Sequence, residues 1–160
     1  MGWWGYNIME GDTPLDCEGD IKDFIADPAL VTSAEHDGAN WMEAMDAVTE
    51  SAYNALRNGA TVVNVMKAIQ DGEMCSYDHD IAMQVLGEMV ICSGGELPQE
   101  VRAACVAAAE NELQYDGKGW RQEGEREKCL CAYIDRVWAY KNGEAIEPTS
   151  EGLFAKFAAA

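Results

Sequence analysis

The chain has 160 residues, 48% of them hydrophobic and 25% charged, with 29 acids against 11 bases and a formal net charge of −18. That length and balance predict a single folded domain spanning 1–160 and exclude disorder as the main state. The charge excludes direct docking on nucleic-acid phosphates, which needs a basic surface. No apolar run approaches the roughly 18 residues of a membrane span and no basic, then apolar, leader opens the chain, so the expectation is a soluble cytoplasmic protein with no membrane partner.

In chain order, residues 1–12 set Trp3, Trp4 and Tyr6 among glycines without a helical period, which predicts an irregular aromatic segment packed on the domain. Thr13-Pro14-Leu15-Asp16 then predicts a helix start, with Thr13 as cap, Pro14 at the first helical position and Asp16 completing a capping-box-like arrangement. This helix should run to about Asp27, because Pro28 disfavours continuation. Cys17, Ile21, Phe24 and Ile25 share one of its faces, while Asp16, Asp20, Asp23 and Asp27 form a purely acidic stripe on another. Residues 28–39 read as a loop.

Asn40, with Glu43 three residues on, marks a second start and Asn58-Gly59 its stop. Trp41, Met45, Val48, Ala52 and Leu56 form the apolar stripe of that helix, with Glu43, Asp46 and Glu50 opposite. Residues 61–70 fit a helix through Val62, Val65, Met66 and Ile69, although the β-branched Val62-Val63 pair would suit a strand; helix is the reading, ended by Asp71-Gly72. The stretch from about Asp80 to Cys92, with only Gln84 and Glu88 as polar relief, should be the most buried helix. Gly94-Gly95 ends it, and Pro98 opens a helix carrying Val101, Cys105, Ala108 and Leu113. Asp116-Gly117-Lys118-Gly119 reads as a turn. A last long helix from about Glu125 to Lys141 carries Leu130, Tyr133, Ile134, Val137 and Trp138. Residues 143–160 read as a docked tail, briefly helical around Leu153 to Phe157. The predicted fold is all-α, a compact single domain of five or six helices.

The opening Met1-Gly2-Trp3-Trp4-Gly5, followed by Gly11-Asp12-Thr13-Pro14-Leu15-Asp16, resembles the domain of unknown function 4259 family, whose members begin Met-Gly-x-Trp-Gly and continue into an Asp-rich turn. Ile81-Ala82-Met83-Gln84-Val85-Leu86-Gly87 and the later Leu97-Pro98 are also similar to that family's order of elements. The double Trp and the Gly-Asp-Thr-Pro-Leu-Asp turn look most like versions from bacteriophages and their hosts. The resemblance implies a small bacterial or phage protein, and it implies no catalytic residues.

Tyr77-Asp78-His79-Asp80 is the most site-like string. His79 between carboxylates has the residue types of a general base or a metal ligand, with His36 as the second imidazole of a weak metal alternative comprising His79, Asp78, Asp80 and His36. The simpler reading makes Asp78 or Asp80 the cap of the following helix. Cys129-Leu130-Cys131 falls in a helix, where two positions apart turns the thiols ~200° from each other, so it does not predict a zinc site. The six cysteines (Cys17, Cys75, Cys92, Cys105, Cys129, Cys131) read as free thiols, mostly buried, of a reducing compartment. Counting from Asp16, glycine arrives fourth and Asp27 twelfth, which fails the calcium-loop pattern. Phosphate-loop, dinucleotide and nucleophile-elbow motifs are missing, so no cofactor is expected. Met42, Met45, Met66, Met83 and Met89 lie at core spacing and read as packing.

Charge is uneven along the chain: residues 1–80 hold 16 acids and 3 bases, residues 81–160 hold 13 and 8. Such a field attracts basic partners, although it also serves solubility. The expected function is a non-enzymatic, acidic protein-interaction module, of phage type, that binds and inhibits a host or defence protein through its basic surface. The partner-binding residues would be Asp16, Asp20, Asp23, Asp27, Glu43, Asp46 and Glu50. A mimic of nucleic acid occupying the site of a basic enzyme, and a small metal-dependent enzyme built on Asp78-His79-Asp80, are the alternatives. A homo-oligomer is compatible with all three.

Overall fold

A computed structural model of the protein describes residues 7–114 and 124–147. Within them seven helices follow one another: α1 (Asp12–Ile25), α2 (Pro28–His36), α3 (Trp41–Ala55), α4 (Gly59–Gln70), α5 (His79–Ser93), α6 (Gln99–Gln114) and α7 (Glu125–Ala139). No strand occurs among the described residues. No helix among them is long and apolar enough to cross a membrane.

Helix α5 is the axis. Its sequence is apolar on every side, and each residue from Ile81 to Ile91 is buried. A helix without a polar face has to be surrounded; α1, α3, α4 and α6 pack directly on it, and α7 lies against α6. The glycines after α4 and α5 end both helices by one device. Gly72 and Gly94 adopt left-handed φ of 74° and 69°. The next amide then turns back to the carbonyl five residues earlier, Glu73 N to Ala68 O at 2.9 Å and Gly95 N to Val90 O at 2.9 Å. A side chain would strain that conformation, which is why glycine stands there.

The all-helical expectation holds, but the count is seven rather than five or six. The extra helix is α2, inside the stretch read as a loop. Pro28 does end the preceding helix, yet it also sits at the first position of α2, and Asp27 caps that helix by accepting Ala29 N–H at 2.9 Å. One proline thus serves as both stop and start.

Two other boundaries shift, those of α1 and of α3 with α4, while Asn40 stands at the N-cap of α3 where the sequence placed that start. Helix α1 begins at Asp12, with Gly11 at its N-cap and no capping side chain, so neither Thr13 nor Asp16 forms the expected box. Asn40 precedes α3 without a side-chain cap bond; instead its own N–H is taken by Asp37 Oδ1 at 3.1 Å. Asn58-Gly59 opens α4 rather than closing α3, since Asn58 Oδ1 accepts Ala60 N–H at 2.9 Å. Residues 61–70, ambiguous in sequence, lie within α4, and Val62, Val65 and Ile69 are fully buried there.

Several large apolar side chains expected inside are outside. Phe24, Trp41, Met42, Met45 and Trp138 are all exposed, whereas Met66, Met83 and Met89 are buried as expected. The chain segment before α1 is irregular and packed where it is described: Ile8 is buried and Met9 lies against the core. At the other end Ile146 packs on the core, and its N–H donates to Ile91 O at 3.1 Å. Trp3, Trp4, Tyr6, the Asp116–Gly119 turn and the tail beyond Glu147 lie outside the described residues.

Candidate functional site

The acidic side chains singled out in sequence all reach solvent. Asp16, Asp20 and Asp23 are exposed on α1, Asp27 at the α1–α2 corner, and Glu43, Asp46 and Glu50 on α3. Helices α1 and α3 pack on each other, and α2 packs on α3. Asp27 joins the corner to α3, because its N–H donates to Ser51 Oγ at 2.8 Å, next to Glu50. Its carboxylate, however, is engaged as the α2 cap, so Asp27 has a structural duty the other six do not.

Asp20 and Asp23 form a like-charge group with Glu35 of α2, a member that sequence spacing alone did not single out. Partial burial, then the negative charges of Asp20 and Glu35, raise the Asp23 carboxyl above the ordinary carboxylate range, opposed by Lys22. Such repulsion between carboxylates relaxes when a cation arrives.

The α3 stripe adds an apolar component. Trp41, Met45, Val48 and Ala52 share one face by helical spacing. Val48 and Ala52 are buried, 1% and 0% exposed, in a small cluster with Ala26, packed by Ile25, Leu30, Val31 and Ala34. Toward the start of α3 the same face runs out of the protein: Trp41 is 58% and Met45 40% exposed, with Met42 beside them at 63%. Helix α2, which covers the rest of the face, contains no fully buried residue. The α2–α3 hairpin, held on the protein through α3, therefore displays at its outer end a tryptophan and two methionines beside Glu43 and Asp46.

The His79 region is a helix start. Asp78 caps α5 by accepting Ile81 N–H at 3.0 Å, Asp80 accepts from Asn111 Nδ2 at 3.4 Å, and His79 is exposed. His36 ends α2, its Nδ1 donating to Thr32 O at 2.8 Å. Among the described residues no three His, Cys, Asp or Glu side chains gather so as to hold a metal ion, so Asp78, His79, Asp80 and His36 do not form the ligand group of the weak alternative.

What sequence reasoning missed is inside. Arg126, fully buried on α7, donates to Glu112 from Nε at 3.3 Å and Nη2 at 3.0 Å, to Gln84 Oε1 at 2.9 Å, and to Asn7 O at 3.1 Å. Gln84 in turn donates to Glu112 Oε2 at 3.2 Å, and Tyr133 OH donates to Gln84 O at 3.0 Å. A second ion pair joins Arg136 Nη1 to both oxygens of Glu88 at 3.1 and 2.9 Å. A third ties α1 to α3: Lys22 Nζ lies 2.7 Å from Glu18, whose Oε1 also accepts from Tyr53 OH at 3.1 Å. The signal was present, since Gln84 and Glu88 are the polar residues of an otherwise apolar helix and had to find partners. The Arg126 group is closed on itself, whereas Glu18 Oε2 and Arg136 Nε are buried without a hydrogen-bond partner among the described residues; all three groups read as scaffold.

All six cysteines are free: Cys17, Cys75 and Cys105 are buried, Cys92 and Cys129 half-buried, and Cys131 exposed. An open groove between α1 and α4, lined by Phe24, Ile25, Asn64, Lys67 and Asp71, gathers no catalytic pair. No protein-family model matches this chain, and neither a curated protein nor a solved structure does.

Proposed function

We propose that this protein is an interaction module that binds a basic partner protein on the α1–α3 surface. One observation carries the reading: the apolar face of α3 leaves the core at Trp41 and Met45 and emerges among carboxylates. Exposing large apolar groups has no folding benefit, while a tryptophan in a contact zone supplies area at small entropic cost. The flanking acids choose the partner's sign. Residues 28–56 contain five acids and no Lys or Arg, so a second copy brought face to face on this hairpin is repelled and a lysine- or arginine-rich segment is attracted.

Two variants and the native chain, each used as bait in a lysate, test this. D20K/D23K/E43K/E50K removes the charge, and W41S/M45S removes the apolar end while keeping it. One basic protein retained by the native chain and lost from both variants, with their circular dichroism unchanged, is the expected result. Capture that survives W41S/M45S reduces the surface to a plain polyanion and overturns the reading. Competing duplex DNA separates the mimicry alternative, since only a partner held through its nucleic-acid site is displaced by it. The resemblance adds the reading of a phage-type inhibitor of a host or defence protein, tested by the captured partner's activity with and without this chain. Six free thiols fit the cytoplasm as its compartment.

A further inference from the structure

Cys75 has an uncommon backbone conformation. It lies in the segment between α4 and α5, and its φ of 50° makes it the one non-glycine residue in left-handed conformation among those described. Glycine or asparagine holds such a position with less strain, and Gly72 does so three residues earlier. The conformation turns the Cys75 side chain inward onto α1, where Sγ lies 3.8 Å from Cys17 O. That contact joins the main chain of α1 to the segment before α5 and sets Cys17 and Cys75, 58 residues apart in the chain, side by side. Cys17 is 0% and Cys75 2% exposed, while Tyr77, two residues after Cys75, is exposed. Two adjoining buried cysteines, one on a strained backbone, form a pair rather than two core fillers.

We propose that Cys17 and Cys75 are an oxidation site, at which a peroxide converts the two thiols into one intramolecular disulfide tying α1 to the segment before α5. The environment sets the order of events. The neighbouring Cys75 thiol, opposed by burial and assisted by Tyr77, holds the Cys17 thiol below its ordinary range, while Cys75 is pushed up. Asp20 and Asp78 oppose ionisation of Cys17 from either side. Cys17 is the first nucleophile, since the thiolate is the reactive form. Its sulfur attacks one peroxide oxygen, the O–O bond breaks, and the departing hydroxide takes a proton to leave as water. Cys17 is then a sulfenic acid. The Cys75 sulfur attacks the Cys17 sulfur, the S–O bond breaks, and the hydroxyl leaves as water with the Cys75 proton. Two thiols lose two electrons in all, and one hydrogen peroxide becomes two waters. A peroxide is scarcely larger than water, and local opening of the segment between α4 and α5 admits it to the pair.

The test is titration of the reduced full chain with hydrogen peroxide, followed by non-reducing peptide mapping by mass spectrometry. The expected product is a Cys17–Cys75 cross-linked peptide lighter by two hydrogens, formed while Cys92 and Cys105 remain thiols, and reversed by dithiothreitol. C75S should stop at a sulfenic acid on Cys17 that dimedone traps. Both positions are buried, so should C75S fail to fold, the native chain's map decides alone. Cys17 and Cys75 persisting as thiols at a dose that oxidises the exposed Cys131, or Cys17 running on to sulfinic acid beside a free Cys75, overturns the proposal.

Discussion

Arg126 and Asn7 are 119 residues apart in the chain, and the guanidinium of one donates to the carbonyl of the other at 3.1 Å. The same guanidinium spans Glu112 of α6 and Gln84 of α5, so a single buried cation holds three helices and the entering chain together. The pairing is closed: the carboxylate it serves is also satisfied by Gln84 Nε2. Removing one member of a buried pair leaves the other stranded, which costs about 3–5 kcal/mol.

Arg126→Ala is accordingly expected to lose about that much stability in urea denaturation, whereas Lys128→Ala, whose pair with Glu125 stands in solvent, should leave the denaturation midpoint nearly unchanged. Arg126→Ala should also speed amide exchange at Ile8–Gly11, which a purely helix-local effect would leave untouched. Equal losses for the two variants would show that Arg126 does not organise the core.

A second test concerns the contact of α5 with α7. A β-carbon on Gly87 would overlap the Tyr133 hydroxyl, which donates to Gln84 O. Gly87→Ala should be destabilised by about 1–3 kcal/mol through overpacking. Tyr133→Phe alone forfeits one buried hydrogen bond, about 1 kcal/mol or somewhat more. In the double variant the obstructing oxygen is gone, so the two costs should fall short of additivity. Strict additivity in the double-mutant cycle would show that the two groups do not meet.

The helix-start reading of the His79 string has its own measurement. Asp78→Ala removes the α5 cap and should cost about 1 kcal/mol, while His79→Ala, exposed on the first turn, should lie within roughly 0.5 kcal/mol of the native chain. A larger loss at His79 than at Asp78 would reverse this assignment.

Alkaline pH should weaken the fold through the thiols. Burial pushes Cys105 up to about 12, and burial followed by the Glu88 charge pushes Cys92 up to about 12, from an ordinary value of 9.0. In that window the unfolded chain has lost the protons that the folded chain keeps, so stability is full below about pH 9 and falls as pH rises toward 12. The slope is at most about 1.4 kcal/mol per pH unit for Cys105, and Cys105→Ala should flatten it. Identical slopes for the native chain and the variant between pH 9 and 11 would rule the thiol out as the cause.

The sequence made the helical fold and its central strut legible, because α5 has no polar face and glycine pairs punctuate its end. It made the exposure of the acidic stripes legible for the same reason, as like charges at helical spacing have nowhere else to go. Helix α2 was hidden because Pro28 signals a stop and a start with the same ring. Trp41 and Met45 were misplaced because periodicity assigns a residue to a face, while burial depends on how far the neighbouring helices extend along it. Arg126 was overlooked because a charged residue in the first turn of α7 carries no mark of the carboxylate that awaits it from another helix.

The unequal burial of α2 and α5 divides the protein into two tiers of local stability. Amides of α5 are shielded on every side and can exchange with solvent only when the whole domain opens. Helix α2, without one fully buried residue, can lift from α3 at a small fraction of that free energy and uncover Leu30, Val31 and Ala34 while the rest stands. The apolar surface around α3 is thus larger in the breathing protein than at rest.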